Sequence, residues 1–147
     1  SGPVEEDPIT KQVQAAVDVL SKNAGTVVVD QQYYKTKTKK GVAQQIQERV
    51  EKGETFGDFD DLSVSKQEYE AEFANERARM ATIKNPNVII NNVGDQMCSG
   101  GRCYFFNRNN LHSYYGDQAS HLTSEGVELL GLRYGEIIED FLRKRRE

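Results

Sequence analysis

The chain has 147 residues and a formal charge of −4, with 37% hydrophobic and 29% charged residues. These are the proportions of one globular domain of about 100–200 residues, and they exclude a multidomain enzyme, a disordered acidic tail and a polybasic nucleic-acid binder. No apolar run approaches the ~18–20 residues of a membrane helix, and the N-terminus has no basic-then-apolar signal pattern, although a targeting segment or anchor upstream is compatible with the sequence.

Residues 1–6 read as a tag-derived or disordered start, and residues 7–147 as one domain. Asp7-Pro8 places a capping residue before a proline at the first helical position, and Val13, Ala16, Val17, Leu20 and Ala24 then repeat at helical spacing until Gly25. Thr26-Val27-Val28-Val29 is a β-branched run without alternation, expected as a parallel strand covered on both faces. A helix followed by such a strand predicts an α/β sandwich. Residues 31–41, with Lys35, Lys37, Lys39 and Lys40, are expected as a solvated connection. Val42, Ala43, Ile46 and Val50 then mark a short amphipathic helix closed by Gly53.

The stretch from Gly53 to Leu62 is turn-rich, and Ser65 with Glu68 forms a capping box at the head of a long helix. Tyr69, Phe73, Arg77, Met80 and Ile83 share a face of that helix, with Tyr69, Phe73 and Met80 expected in the core rather than against a ligand. Asn85-Pro86 stops it, and Asn87-Val88-Ile89-Ile90 starts a second buried strand. Residues 102–106 return as a third, antiparallel strand before a polar stretch at 107–113. Thr123 caps the last helix, where Val127, Leu130, Tyr134, Ile137, Ile138 and Phe141 make an apolar stripe. The tail Arg143-Lys144-Arg145-Arg146 complements the negative end of that helix, which accounts for it without a nucleic-acid partner.

Cys98 and Cys103 are the chain's two cysteines and enclose Ser99-Gly100-Gly101-Arg102, whose glycines allow the backbone to turn tightly enough to bring the two Cβ atoms to disulfide distance. A disulfide loop formed in an oxidising compartment is the expected state; a pair of reduced thiols flanking a turn is the alternative. With two histidines beside these cysteines, the chain is short of soft ligands for a structural zinc site. The most informative stretch for chemistry runs from Tyr114 to Thr123 and places Asp117 and His121 together just before a helix. Such a pair is the orienting acid and general base of a nucleophilic triad: the carboxylate fixes the imidazole tautomer and stabilises the imidazolium. The alternative for His121 is a histidine that caps or packs at the helix start.

The order of elements, the cysteine turn, and Tyr115-Gly116-Asp117 through His121-Leu122-Thr123 to Gly126 resemble the latter part of an SGNH domain of the type fused to multipass membrane acyltransferases that O-acylate sugars and related glycans. The resemblance covers about residues 7–142. It implies a flavodoxin-like three-layer α/β/α sandwich, here a partial domain with early strands missing, in which Asp117 is the orienting acid and His121 the general base. It also implies serine attack, an acyl-enzyme, and transfer of a short acyl group to or from a hydroxyl, with no metal and no cofactor. The expected partners are an acyl donor, a glycan or glycolipid acceptor and an upstream membrane acyltransferase domain, with no nucleic acid, in an extracellular or lumenal setting.

Two departures from the family pattern stand out. Gln118, Ala119 and Ser120 separate Asp117 from His121, one residue more than in the family. The family's Gly-Asp-Ser nucleophile block is also absent: the chain's Gly-Asp pairs continue as Gly57-Asp58-Phe59, Gly94-Asp95-Gln96 and Gly116-Asp117-Gln118. Asn91 and Asn92 follow a strand without the family's glycine pattern and are not assigned as oxyanion donors. Little or no turnover is therefore expected of the chain alone. A non-catalytic SGNH-derived binding module, or a split site whose serine comes from another molecule, are the other readings.

Overall fold

Asp7 accepts the Ile9 N–H at 3.2 Å and, with Pro8 behind it, starts α1 (Pro8–Ala24). Gly25 stops α1 at φ 75°, its N–H donating to the Ser21 carbonyl at 3.1 Å. The computed structural model describes residues 7–32, 34–35, 40–116 and 121–146. They fall into two units, one built from residues up to 32 with 70–92, the other from 33–69 with 93 onward.

In the first unit, β1 (Val27–Asp30) pairs in parallel with β3 (Val88–Asn91), in register from Val27 opposite Val88 to Asp30 opposite Asn91. The turn before β3 is locked to α1 by amide side chains. Gln14 Oε1 accepts the Lys84 N–H at 2.9 Å, and Asn85 Nδ2 donates to Asp18 Oδ1 at 2.8 Å and Ser21 Oγ at 2.9 Å. Asn85-Pro86 is thus both the expected stop signal and a side-chain clamp. The expectation that the valine run is covered on both faces is corrected: Val27 and Val29 are half-buried while Val28 is 36% exposed. β-branched composition favours extended backbone but does not encode how many layers cover it.

In the second unit, α2 (Val42–Val50) buries Val42 and Ile46 and is followed by Gly53 at φ 85°. A 3-10 segment, Phe56–Leu62, replaces the expected plain turns. Arg49 holds it, donating from Nε to Glu54 at 2.5 Å and from Nη1 to Asp61 at 2.8 Å, with its guanidinium 4.7 Å from the Phe59 ring centre. β2 (Ser63–Ser65), β4 (Cys98–Ser99) and β5 (Arg102–Tyr104) form an antiparallel sheet in the order β2-β5-β4. Ser65 closes β2 and also caps α3 (Lys66–Ala81), its Oγ accepting the Glu68 N–H at 3.0 Å. α3 runs across the boundary between the units.

Gly100 at φ 58° and Gly101 at φ 82° make the two-residue turn between β4 and β5, a conformation that glycine adopts without steric cost. Cys98 and Cys103 face each other across that hairpin and form the expected disulfide. The core is aromatic. Tyr34 stacks on Phe105 with centroids 5.5 Å apart, Phe105 meets the edge of Tyr115 at 5.8 Å, and Phe106 contacts Phe59 and Tyr104 at 6.1 and 5.9 Å. α4 (Ser124–Lys144) buries Gly126, Leu130 and Ile137 and packs against the 3-10 segment Val93–Met97. Helices combined with a parallel and an antiparallel sheet give the expected α/β class. Among the described residues no helix is long and apolar enough to cross a membrane.

Candidate functional site

The polar stretch after β5 turns back on itself at a pair of antiparallel bridges. Ser113 bridges Phe106 and Tyr115 bridges Leu122. The Tyr114 N–H donates to the Phe105 carbonyl at 2.9 Å, the Thr123 N–H to the Tyr114 carbonyl at 3.0 Å, and the Gly116 N–H to the His121 carbonyl at 2.7 Å. Gly116 and His121 are therefore joined by a main-chain bond. Asp117 itself lies outside the described residues, whereas His121 is described, with its main chain tied to Gly116 and its side chain at the surface.

Three neighbours anchor the main chain around this position. Tyr115 is fully buried, and its hydroxyl donates to the Tyr34 carbonyl and lies 3.4 Å from Met97 Sδ. Thr123 Oγ1 donates to the Ser113 carbonyl at 2.6 Å and accepts the Gly126 N–H at 3.2 Å, so the cap of α4 is also the anchor of the 113–116 segment. Gly126 is required because a Cβ there would collide with the Tyr114 carbonyl. The spacing from His121 through Leu122-Thr123 to Gly126 thus encodes a surface imidazole one turn ahead of a firmly seated helix.

A second imidazole, not singled out by sequence reasoning, sits beside a carboxylate. His112 Nδ1 lies 3.5 Å from Glu125 Oε2, and Glu125 Oε1 accepts from Asn107 Nδ2 and, at 3.4 Å, from Asn110 Nδ2. Asn107 and Asn110 shape the turn as well: their Oδ1 atoms accept the Asn109 and His112 N–H groups, each at 2.9 Å, with Leu111 at φ 61°. The Asn107 amide, followed by Asn110 and His112, holds the Glu125 carboxyl below the usual carboxylate range. The His112 side chain is 67% exposed, so the pair ties the turn to the first turn of α4 as a solvent-screened surface contact. The signal available in the sequence was an asparagine-rich turn ending in histidine, with Glu125 just inside a capped helix.

In the first unit, polar side chains gather at the carboxyl ends of the parallel strands. Asn91 Nδ2 donates to Asp30 Oδ1 at 2.8 Å, and the buried oxygens Gln31 Oε1, Asn91 Oδ1 and Asn92 Oδ1 accept no hydrogen bond from the described residues. Buried acceptors of this kind call for donors, which water or the hydroxyls of a bound molecule can supply. Among the described residues no three histidine, cysteine or carboxylate side chains converge to hold a metal ion.

No curated protein and no solved structure matches the chain. The family model described as the SGNH domain fused to AT3 domains matches residues 2–135. That match takes in the strands, the disulfide hairpin and the His121 to Gly126 block, and the chain belongs to this SGNH domain family.

Proposed function

We propose that the chain supplies the acid–base part of a serine-dependent O-acyl transfer in which a short acyl group moves to or from a hydroxyl of a glycan-like acceptor. His121 is the general base that takes the proton of the attacking serine and gives it to the leaving oxygen, then takes the proton of the entering hydroxyl and returns it to the serine as the acyl-enzyme breaks; Asp117 orients it and offsets the charge of the imidazolium. The observation that carries this reading is the fixing of His121, whose carbonyl accepts the Gly116 N–H at 2.7 Å one residue ahead of Leu122 and the Thr123 cap while its side chain stays at the surface. The Cys98–Cys103 disulfide supports an extracellular or lumenal setting, since such bonds persist in oxidising compartments. The partners under this reading are an acyl donor, a hydroxyl-bearing glycan or glycolipid, and a membrane acyltransferase domain of the same protein.

The chain's Gly-Asp pairs are followed by Phe59, Gln96 and Gln118, and none by serine. We therefore expect hydrolysis of p-nitrophenyl acetate by the chain alone to match its His121→Ala variant. Joined to a segment carrying a Gly-Asp-Ser block, the chain should turn over, and His121→Ala should then lower kcat on the order of 10⁶-fold. Full activity of His121→Ala in that joined form would remove His121 from the mechanism. The missing serine also favours a second reading, a binding module that keeps the scaffold without turnover. Acceptor binding with no activity in the joined form would select it.

A further inference from the structure

We propose that a cleft between α1 and the segment that follows α3 binds a small hydroxylated anion, a sugar acid or sugar phosphate of a single ring. The cleft has a volume of about 300 Å³ and is built entirely within the first unit, away from the His121 block, so the inference does not rest on the acyl-transfer reading. That volume is at the small end for ligand sites and suits one ring rather than a chain. Thr10, Gln14 and Asp18 follow one another at intervals of four along α1, with Lys11 and Ala15 on the row beside them, and Lys84 stands on the facing wall. The two walls are already bonded together. Gln14 Oε1 accepts the Lys84 N–H at 2.9 Å, and Gln14 Nε2 donates to Asp18 Oδ1 at 3.0 Å and to the Lys84 carbonyl at 3.4 Å. A ligand therefore meets a cleft whose width is set before it arrives.

The lining states what that ligand is. Among the described residues that line the cleft only Ala15 has a wholly apolar side chain, so an apolar molecule finds little surface to bury against. Lys11 and Lys84 bring two ammonium groups against the single carboxylate of Asp18, a balance that favours an anion. Asp18 refines the choice. Its Oδ1 accepts both Gln14 Nε2 and, at 2.8 Å, Asn85 Nδ2, so the carboxylate is held in place; it repels a bare anion but accepts a hydroxyl that lies beside one. Thr10 gives an independent pointer. It is only 6% exposed, yet its hydroxyl oxygen has no hydrogen-bond partner among the described residues. A helical threonine commonly spends its hydroxyl on a carbonyl of its own helix, and a buried one left unpaired calls for an outside partner. A ligand hydroxyl, which both donates and accepts, supplies it.

NMR chemical-shift titration of the chain at low salt with glucuronate, glucose 6-phosphate, glucose and inorganic phosphate, each to about 50 mM, tests this. Glucuronate and glucose 6-phosphate should move the amide signals of Lys11, Gln14, Ala15 and Lys84 with dissociation constants of about 1 mM, the strength open to a ligand of this size. Whichever of the two binds tighter identifies the charged group. Glucose, which lacks the charge, and phosphate, which lacks the ring hydroxyls, should each bind at least about tenfold more weakly. Lys84→Gln and Lys11→Gln should each weaken the sugar anions several-fold. Thr10→Val is the sharper variant: it keeps the shape and removes the hydroxyl, so it should weaken binding while leaving the urea midpoint unchanged or higher, because an unpaired buried oxygen is lost. His121→Ala should leave binding as it was, which separates this site from the acyl-transfer reading. Four results would each overturn the proposal: no movement of the cleft signals with either sugar anion; glucose binding as well as they do; phosphate binding as well as they do, the mark of non-specific attraction to lysines; or unchanged binding in both Thr10→Val and Lys84→Gln.

Discussion

At Gly126, α4 starts so close to the Tyr114 carbonyl that a methyl group would overlap it and also crowd Leu122 Cδ2 at 3.1 Å. Alanine normally gains about 1 kcal/mol over glycine inside a helix. Here the overlap outweighs that gain, because the Tyr114 carbonyl is held by the Thr123 N–H at 3.0 Å and cannot retreat without breaking the cap. Gly126→Ala should therefore destabilise the fold by about 1–3 kcal/mol, read as a lower urea midpoint at unchanged m-value. It should also shift the NMR signals of His121, since the carbonyl that moves belongs to the segment paired with it. An unchanged midpoint would mean that the 113–116 segment yields at no cost and that the main chain around His121 is not anchored through it.

Among the elements, β5 is the one that others depend on, because it pairs with β2 on one side and β4 on the other and carries Cys103. The disulfide closes a short loop, so its contribution through the unfolded chain is about 2 kcal/mol. Replacing both cysteines (Cys98→Ser with Cys103→Ser) should lower unfolding free energy by that amount, and a reducing agent should do the same to the unaltered chain. No loss in either case would show that the Gly100-Gly101 turn alone sets the hairpin. How legible each element was from sequence follows from where its information lies. Asp7, Gly25, Gly53 and Thr123 marked helix ends correctly because capping chemistry is local. β2 was missed because Ser63-Val64-Ser65 is extended only through its pairing with Tyr104, Cys103 and Arg102, including the bond from Arg102 Nε to Ser63 Oγ at 2.9 Å. The same holds at the site. The His121 to Gly126 block is contiguous and could be read, whereas His112 meets Glu125 only after two asparagine turns have folded the chain between them.

Over the whole molecule, carboxylates outnumber basic groups by 4, and among the described residues Glu48, Glu125 and Asp140 are held below their ordinary range. Glu48 is held by a hydrogen bond from Lys40, Glu125 by the Asn107 amide, and Asp140 by Lys144 and then Arg143. Each binds its proton less readily in the folded chain than in the unfolded one. Their stabilisation is therefore complete above the ordinary values of 4.5 and 3.8 and is lost as pH falls through the lower folded values. These groups should contribute no slope above about pH 6 and a falling urea midpoint below the ordinary carboxylate range. Salt separates their causes. At about 0.5 M salt, the Lys40 to Glu48 pair and the pairs of Asp140 with Arg143 and Lys144 are screened, so their part of the acid slope should shrink. The Glu125 part should persist, because its largest support is a neutral amide, and Glu125→Gln should remove it at either salt concentration. If the acid slope vanished entirely in salt, or if Glu125→Gln left it unchanged, the 107–112 turn would not be fastened to α4 through Glu125.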